Sequence, residues 1–351
     1  MKGIGRALRV CLTGVMLAAF ASSATAQSST AGRAPTVGQA PRSETQPPPV
    51  APITPGVNVL TPAGHFVFEP SAQYSYSSDS RVVVSGFTII PALSVGVIDI
   101  RSVNRDFWTL ALTGRYGVTN RLELETKLPW VSRSDSTLAR PVNTGANADT
   151  EFTTTGSGIS DIEVAARYQF TDHPPFYIGY LRFKSRTGDG PFDVPFTTPQ
   201  PGITLQSELP TGTGFYAWQP GFTVLVPSDP AVFFGGASYI WNVKRNVSGV
   251  DASGTPIGNY DPGDGVNFNF GMGLSINDRS SFSIGYDHSI FRKDQRNGEV
   301  LPDAQVQQVA TLLFGLSYHA SLRQAMNLTL GVGLTPAAPN LTIALRAPVI
   351  F

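Results

Sequence analysis

The chain has 351 residues, with 25 Lys and Arg against 25 Asp and Glu, and a single cysteine. Charged residues are 14% of it, against roughly 25% in soluble domains. No basic run marks a nucleic-acid surface, and nothing beyond the amino terminus approaches the ~20 consecutive apolar residues of a membrane helix. Low charge without an apolar helix is the composition expected of strands that alternate in lipid.

Lys2, Arg6 and Arg9 precede the short apolar run "VCLTGVMLAAF", and Ala24-Thr25-Ala26 stands before Gln27. Residues 1–26 therefore read as a secretory signal, too short for an ordinary membrane span. Its removal leaves 22 basic and 25 acidic residues, and takes away Cys11. The mature chain then has no thiol for disulfides or catalysis. Residues 27–63 are rich in Pro, Ser, Thr and Gly, which breaks helices and ladders alike. They read as an extended periplasmic linker, either a passive tether or a plug threaded into a barrel.

From residue 64 to 351 a two-residue period recurs. In "HFVFEPSAQYSY", Phe66, Phe68, Ala72, Tyr74 and Tyr76 oppose Val67, Glu69, Ser71, Gln73 and Ser75. In "RDFWTLALTGRY", Trp108, Leu110, Leu112 and Tyr116 oppose Thr109, Ala111, Thr113 and Arg115. In "RLELETKLPW", Leu122, Leu124 and Leu128 oppose Glu123, Glu125 and Lys127. The pattern continues through 158–170, 175–186, 214–226, 231–244, 264–276, 280–290, 307–319, 324–334 and 340–351. The count is twelve strands of roughly the length a tilted membrane strand requires. The fold class predicted is all-β, a transmembrane antiparallel up-and-down barrel.

The connections support that count. "GVTN", "TDHP", "PSDP", "INDR" and "ASLR" are short and alternate with longer segments near 79–104, 133–157, 187–213, 245–263 and 291–306, except that the last outer connection, "TPAAPN", is brief. Short periplasmic turns and long outer loops are the habit of bacterial outer-membrane barrels, which places both termini in the periplasm. Aromatics on the apolar parity gather towards strand ends, as interfacial belts do. The apolar stretch 81–103 fits less well: it extends the first hairpin or folds inward, with Pro91 at its tip. The last strand, "NLTIALRAPVIF", keeps its period to Phe351, because it must pair with the first strand to leave no open edge in lipid.

The other parity carries the charges. Candidate pore-lining residues are Arg115 on the second strand and Glu123, Glu125 and Lys127 on the third. Asp161, Glu163 and Arg167 lie on the fourth, Arg182, Lys184 and Arg186 on the fifth, and Arg346 on the last. Both signs occur together, so a cross-linked polar core and a charged water path both remain open. A lipid hydrolase would need a nucleophile beside an outward His near the outer rim. His288 is so placed, but Phe268 and Ala310 flank it, so catalysis is not expected. No phosphate loop or metal-spaced cluster is present in the sequence, and no cofactor is expected.

The motifs "GSGISDIEVAARYQF" (Gly156, Gly158, Asp161, Tyr168) and "YGVTNRLELETKLPW" resemble the meta-pathway phenol-degradation-like family of outer-membrane proteins. "GFTIIPALSVGVIDI" and "RFKSRTGDGPF" resemble its branch containing the functional-amyloid exporter of pseudomonads. The resemblance implies a plugged transport barrel. In that branch it implies passage of unfolded amyloid subunits and trimerisation through an amino-terminal coiled coil, whereas the linker here is Pro-rich and lacks heptads. The ending resembles the carboxy-terminal assembly signal of outer-membrane proteins, with Phe351 as its last residue. The expected function is a gated or plugged outer-membrane channel for small solutes or polypeptide. Its expected partners are membrane lipid, the outer-membrane assembly machinery, the cargo and further copies of itself. A structural or adhesive barrel displaying loops is the alternative.

Overall fold

A computed structural model describes residues 60–78, 82–85, 88–91, 95–96, 98–141, 150–200, 203–250, 256–301 and 304–351. The expected signal, and the expected linker up to residue 59, lie outside the described residues. The described residues contain no helix. Twelve antiparallel strands form one closed sheet: β1 (Phe66–Ser78), β2 (Ile98–Thr119), β3 (Leu122–Pro141), β4 (Thr150–Ile159 and Glu163–Gln169), β5 (Phe176–Lys184) and β6 (Ala217–Ser228). They continue as β7 (Ala231–Asn242), β8 (Gly265–Ser275), β9 (Ser280–Phe291), β10 (Gln307–Ser321), β11 (Gln324–Gly333) and β12 (Leu341–Arg346 and Val349–Ile350). Each pairs with its neighbour in sequence, and β12 pairs with β1.

The two-residue period becomes two environments. On β2, Leu112 is 48% exposed on the outer wall, while its neighbours Ala111 and Thr113 are 4% and 5% exposed inside. Outward aromatics behave likewise: Trp108, Trp130, Trp241, Tyr168 and Tyr318 all stand exposed. Phe222 and Phe270 depart from the expected belts. They lie mid-strand on the outer wall, where hydrocarbon accepts them as readily as Leu.

Closure is carried to the last residue. Phe351 N–H donates to the Phe66 carbonyl at 2.8 Å, and Phe66 N–H to the Phe351 carbonyl at 3.3 Å. Further along, Ser71 pairs with Arg346 and Tyr76 with Leu341. Ala347 and Pro348 interrupt β12, and Ala347 N–H reaches the Pro70 carbonyl at 3.0 Å. The unpaired groups that an open edge would expose to lipid are thereby satisfied.

The strands are less uniform than the period alone suggests. β2 and β3 run for 22 and 20 residues, so residues 98–104 of one expected loop and most of the other, 133–157, belong to a projecting hairpin with β4 alongside. Within the 81–103 stretch, Val82–Ser85 pairs with Thr88–Pro91, and Val95–Gly96 joins Ile203–Gln206. Pro91 is therefore at the end of a short ladder opposite Val82, and not at its tip. A residue without an N–H is tolerated at such a strand terminus.

β4 carries a bulge. β3 pairs Trp130 with Ile159 and Lys127 with Glu163, so two residues on β3 face three on β4. The extra residue falls opposite Pro129, which has no N–H to offer, and Ser160 N–H bonds its carbonyl at 2.9 Å. The bulge keeps Gly156 and Gly158 on the inner face together with Asp161 and Glu163.

The long loops pack on one another. Phe215, Val247, Ile257 and Tyr260 form a small apolar core there, with Phe192 and Leu301 against it. The Tyr260 hydroxyl donates to Asp294 Oδ2 at 2.6 Å, and burial pushes the Asp294 carboxyl above its ordinary range.

Deleting Phe351 removes both closing hydrogen bonds at the β1 edge. The expected outcome is a marked loss of folded barrel, read as loss of the heat-modifiable band on electrophoresis without boiling; Phe351→Tyr should retain it.

Candidate functional site: the barrel lumen

The inner face of β1 to β4 is tied by one ion-pair net. Arg115 Nε donates to Glu125 Oε2 at 2.8 Å, and Arg115 Nη2 to Glu69 Oε2 at 3.1 Å. Arg167 Nη2 reaches the same Glu125 oxygen at 2.8 Å, and Arg167 Nη1 reaches Glu123 Oε1 at 3.0 Å. Cross-strand register explains the meeting, since Arg115 is opposite Glu125, and Glu123 is opposite Arg167. Charges buried in this way hold only when mutually paired.

The net continues into the end of the linker. Glu123 Oε2 accepts from Thr61 N–H at 2.7 Å and from the Thr61 hydroxyl at 2.5 Å. Leu60 lies inside an apolar collar of Ile178, Leu225 and Phe234, projecting inward from β5, β6 and β7. Gly117 makes room for this segment: a Cβ there would stand 2.1 Å from the Pro62 carbonyl oxygen and 2.4 Å from that of Thr61. Leu60 and Thr61 are thus buried inside the barrel at the short-turn end.

A second segment fills the opposite end. Leu209 N–H bonds the Thr155 carbonyl at 3.1 Å, and Arg133 Nη1 donates to the Pro210 carbonyl at 2.9 Å. At Gly156 a Cβ would lie 2.1 Å from the Leu209 carbonyl oxygen. Asp161 secures the same segment. Its Oδ2 accepts from Thr213 N–H at 2.8 Å and the Thr213 hydroxyl at 2.7 Å, and its Oδ1 from Gly188 N–H at 3.1 Å. Lys184 Nζ donates to the Thr213 hydroxyl at 2.6 Å and stands 3.8 Å from Asp161. The Gly-x-Gly-x-x-Asp motif is thus a seat for the loop that leads from β5 to β6.

Between these ends lies a cavity of about 260 Å³. Of the eleven candidate residues, Arg115, Glu125, Lys127, Glu163, Arg182 and Arg346 line it. Lys127 and Glu163 approach to 3.5 Å; Arg182 Nη1 donates to Gln219 Oε1 at 3.2 Å, and Arg346 Nη2 to the Thr329 hydroxyl at 3.3 Å. Glu123 and Arg167 sit in the net against the linker end, and Asp161 and Lys184 hold the loop seat. Arg186 lies beyond the end of β5, exposed, with its guanidinium 5.9 Å from the centroid of the Tyr216 ring. The Phe351 position is the closing pair already described.

The charge pattern of the sequence, which assigns Asp287 inward, does not mark the uncharged part of the wall. Asn267, Asn269 and Ser289 share the wall with Asp287 on β8 and β9, and Tyr180 and Gln219 on β5 and β6. Asn267 and Asn269 alternate with Val266, Phe268 and Phe270 in "VNFNF", and that alternation is the signal that could find them. On the outer wall His288 Nδ1 meets the Tyr286 hydroxyl at 2.8 Å and its ring lies 5.0 Å from Phe268. Among the described residues no group of His, Cys, Asp and Glu could hold a metal.

No protein-family model matches the chain. Among solved structures it is similar to an outer-membrane channel from Pseudomonas putida F1, at 15% identity over 85% of this chain and 99% of that one, with a TM-score of 0.56. It also aligns with the translocator domain of the autotransporter NalP from Neisseria meningitidis (9% identity, 83% and 89% covered, TM-score 0.47). A further alignment is with the Pseudomonas putida toluene transporter TodX (11% identity, 83% and 89% covered, TM-score 0.38). Only the first of these three is close enough to speak for the fold, which is that of an outer-membrane-type barrel.

Replacing Arg167 by Leu leaves Glu123 and Glu125 without their shared cation. The expected cost is about 3–5 kcal/mol, read as a lowered urea midpoint for the barrel folded in lipid vesicles and monitored by tryptophan fluorescence. Arg186→Leu should leave the midpoint unchanged.

Proposed function

We propose that the protein is a narrow outer-membrane channel for small solutes, occluded at rest by its own chain at both ends. The observation that carries this is the polar cavity held between residues 60–62 and the loop seated on Gly156 and Asp161. A barrel built only to be rigid has no need of a cavity lined by amides and charges, because a packed apolar interior avoids the desolvation they incur. In this reading the short turns and both termini face the periplasm, the long loops face outward, and Phe351 is the mark used by the assembly machinery.

Small solutes are favoured over polypeptide by size. The ion-pair net crosses four adjacent strands, and about 260 Å³ is free beside it. Passage of polypeptide, as the exporter-like resemblance of "RFKSRTGDGPF" implies, would require that net and both end segments to withdraw together.

Planar-bilayer recording tests the proposal. The mature chain should give small, intermittent conductance, and Gly117→Val should raise it several-fold by displacing residues 60–62; deleting residues 27–63 should do the same. Silence in all three would overturn the channel reading and favour a barrel that displays loops, to be checked by loop-dependent surface binding.

A further inference from the structure

The four carboxylates on the cavity wall are not equivalent. Glu69 and Glu125 are paired with Arg115, and Glu163 with Lys127. Asp287 has no basic side chain at ion-pair distance among the described residues. Its two oxygens meet a single neutral donor, Asn267 Nδ2, at 3.1 and 3.2 Å. The same amide nitrogen also serves Ser289 Oγ at 2.9 Å, so one N–H₂ is shared among more acceptors than it has hydrogens. Beside it, Asn269 Oδ1 is buried and accepts no hydrogen bond. On cross-strand register Asn269 faces Asp287 directly. This stretch of wall therefore has acceptors in excess and a carboxyl group without a basic partner at ion-pair distance.

We propose that the cavity binds a small solute through an alkylammonium group, with Asp287 taking the charge and Asn269 Oδ1 accepting one of its N–H bonds. An ammonium supplies three donors and one positive charge at a single point, which is what the wall lacks. Space is not limiting: a water needs only ~10–15 Å³ of such volume, and about 260 Å³ is present. The ammonium can belong to a simple cation or to a zwitterion. For the latter, Arg182 and Arg346 line the same cavity. The inference deepens the channel reading and rests on it for access to the lumen.

Two readouts on the full mature chain, binding in detergent and conductance in a bilayer, separate the outcomes. Ethylammonium chloride, glycine and ethanol are titrated separately, with saturation-transfer nuclear magnetic resonance as the binding readout. Ethylammonium should bind, glycine should bind too if the zwitterion is accepted, and ethanol should not. Asp287→Asn should weaken binding about tenfold, the loss of one charged hydrogen bond, while Asp287→Glu restores most of it. Heat-modifiability confirms that each variant is folded. Equal binding by wild type and Asp287→Asn, or no binding of either amine while the channel conducts, would overturn this inference and leave the channel reading intact. Absence of both conductance and binding would take down the two together.

Discussion

A backbone in hydrocarbon has no water to hydrogen-bond to, and every N–H and C=O must find a partner in the chain. That requirement closes the sheet here, and the closed sheet dictates the rest. It accounts for the register of Phe351 with Phe66, whose paired hydrogen bonds satisfy the β1 edge there. It also accounts for the bulge at residues 160–162. Pro129 cannot donate, and the extra residue on β4 lets the ladder resume with Glu163 on the inner face opposite Lys127.

Once the wall is closed, the interior must deal with its own charges. Arg115, Arg167, Glu69, Glu123 and Glu125 are all buried and all mutually bonded. Extending the net to Thr61 couples the wall to the segment that enters the lumen. Glycines act where chain must approach chain. Gly117 admits residues 61 and 62, and Gly156 admits Leu209, each at a distance no side chain would allow. Electrostatic pairing and the absence of a Cβ thus place the two end segments, and the cavity is what remains between them.

Much of the wall is legible in the sequence because lipid and lumen differ so sharply in polarity. Twelve runs with one apolar parity, such as Leu110 and Leu112 against Thr109 and Thr113, need no other information. The projecting parts of β2, β3 and β4 are less legible. In "SRSDSTLARP" both faces of the hairpin lack the lipid contrast, so alternation fades although the ladder continues. Inward orientation of Arg115, Glu125 and Arg346 comes from parity, but partner choice does not. It depends on register between strands, and on where Leu60 and residues 206–213 come to rest. Arg186 shows the limit in another way: parity assigns it inward, yet β5 ends two residues before it.

One parity must meet hydrocarbon and the other a shielded lumen for any of this to hold. Residues 27–351 contain no cysteine, so single cysteines carrying a spin label can be placed in turn from Trp108 to Tyr116 on β2 in vesicles. Collision with oxygen, which concentrates in lipid, should peak at the even positions. Collision with a water-soluble nickel chelate should be low at those positions, and the odd positions should show restricted motion. A profile without the two-residue alternation, or with the even positions open to the nickel chelate, would contradict the account.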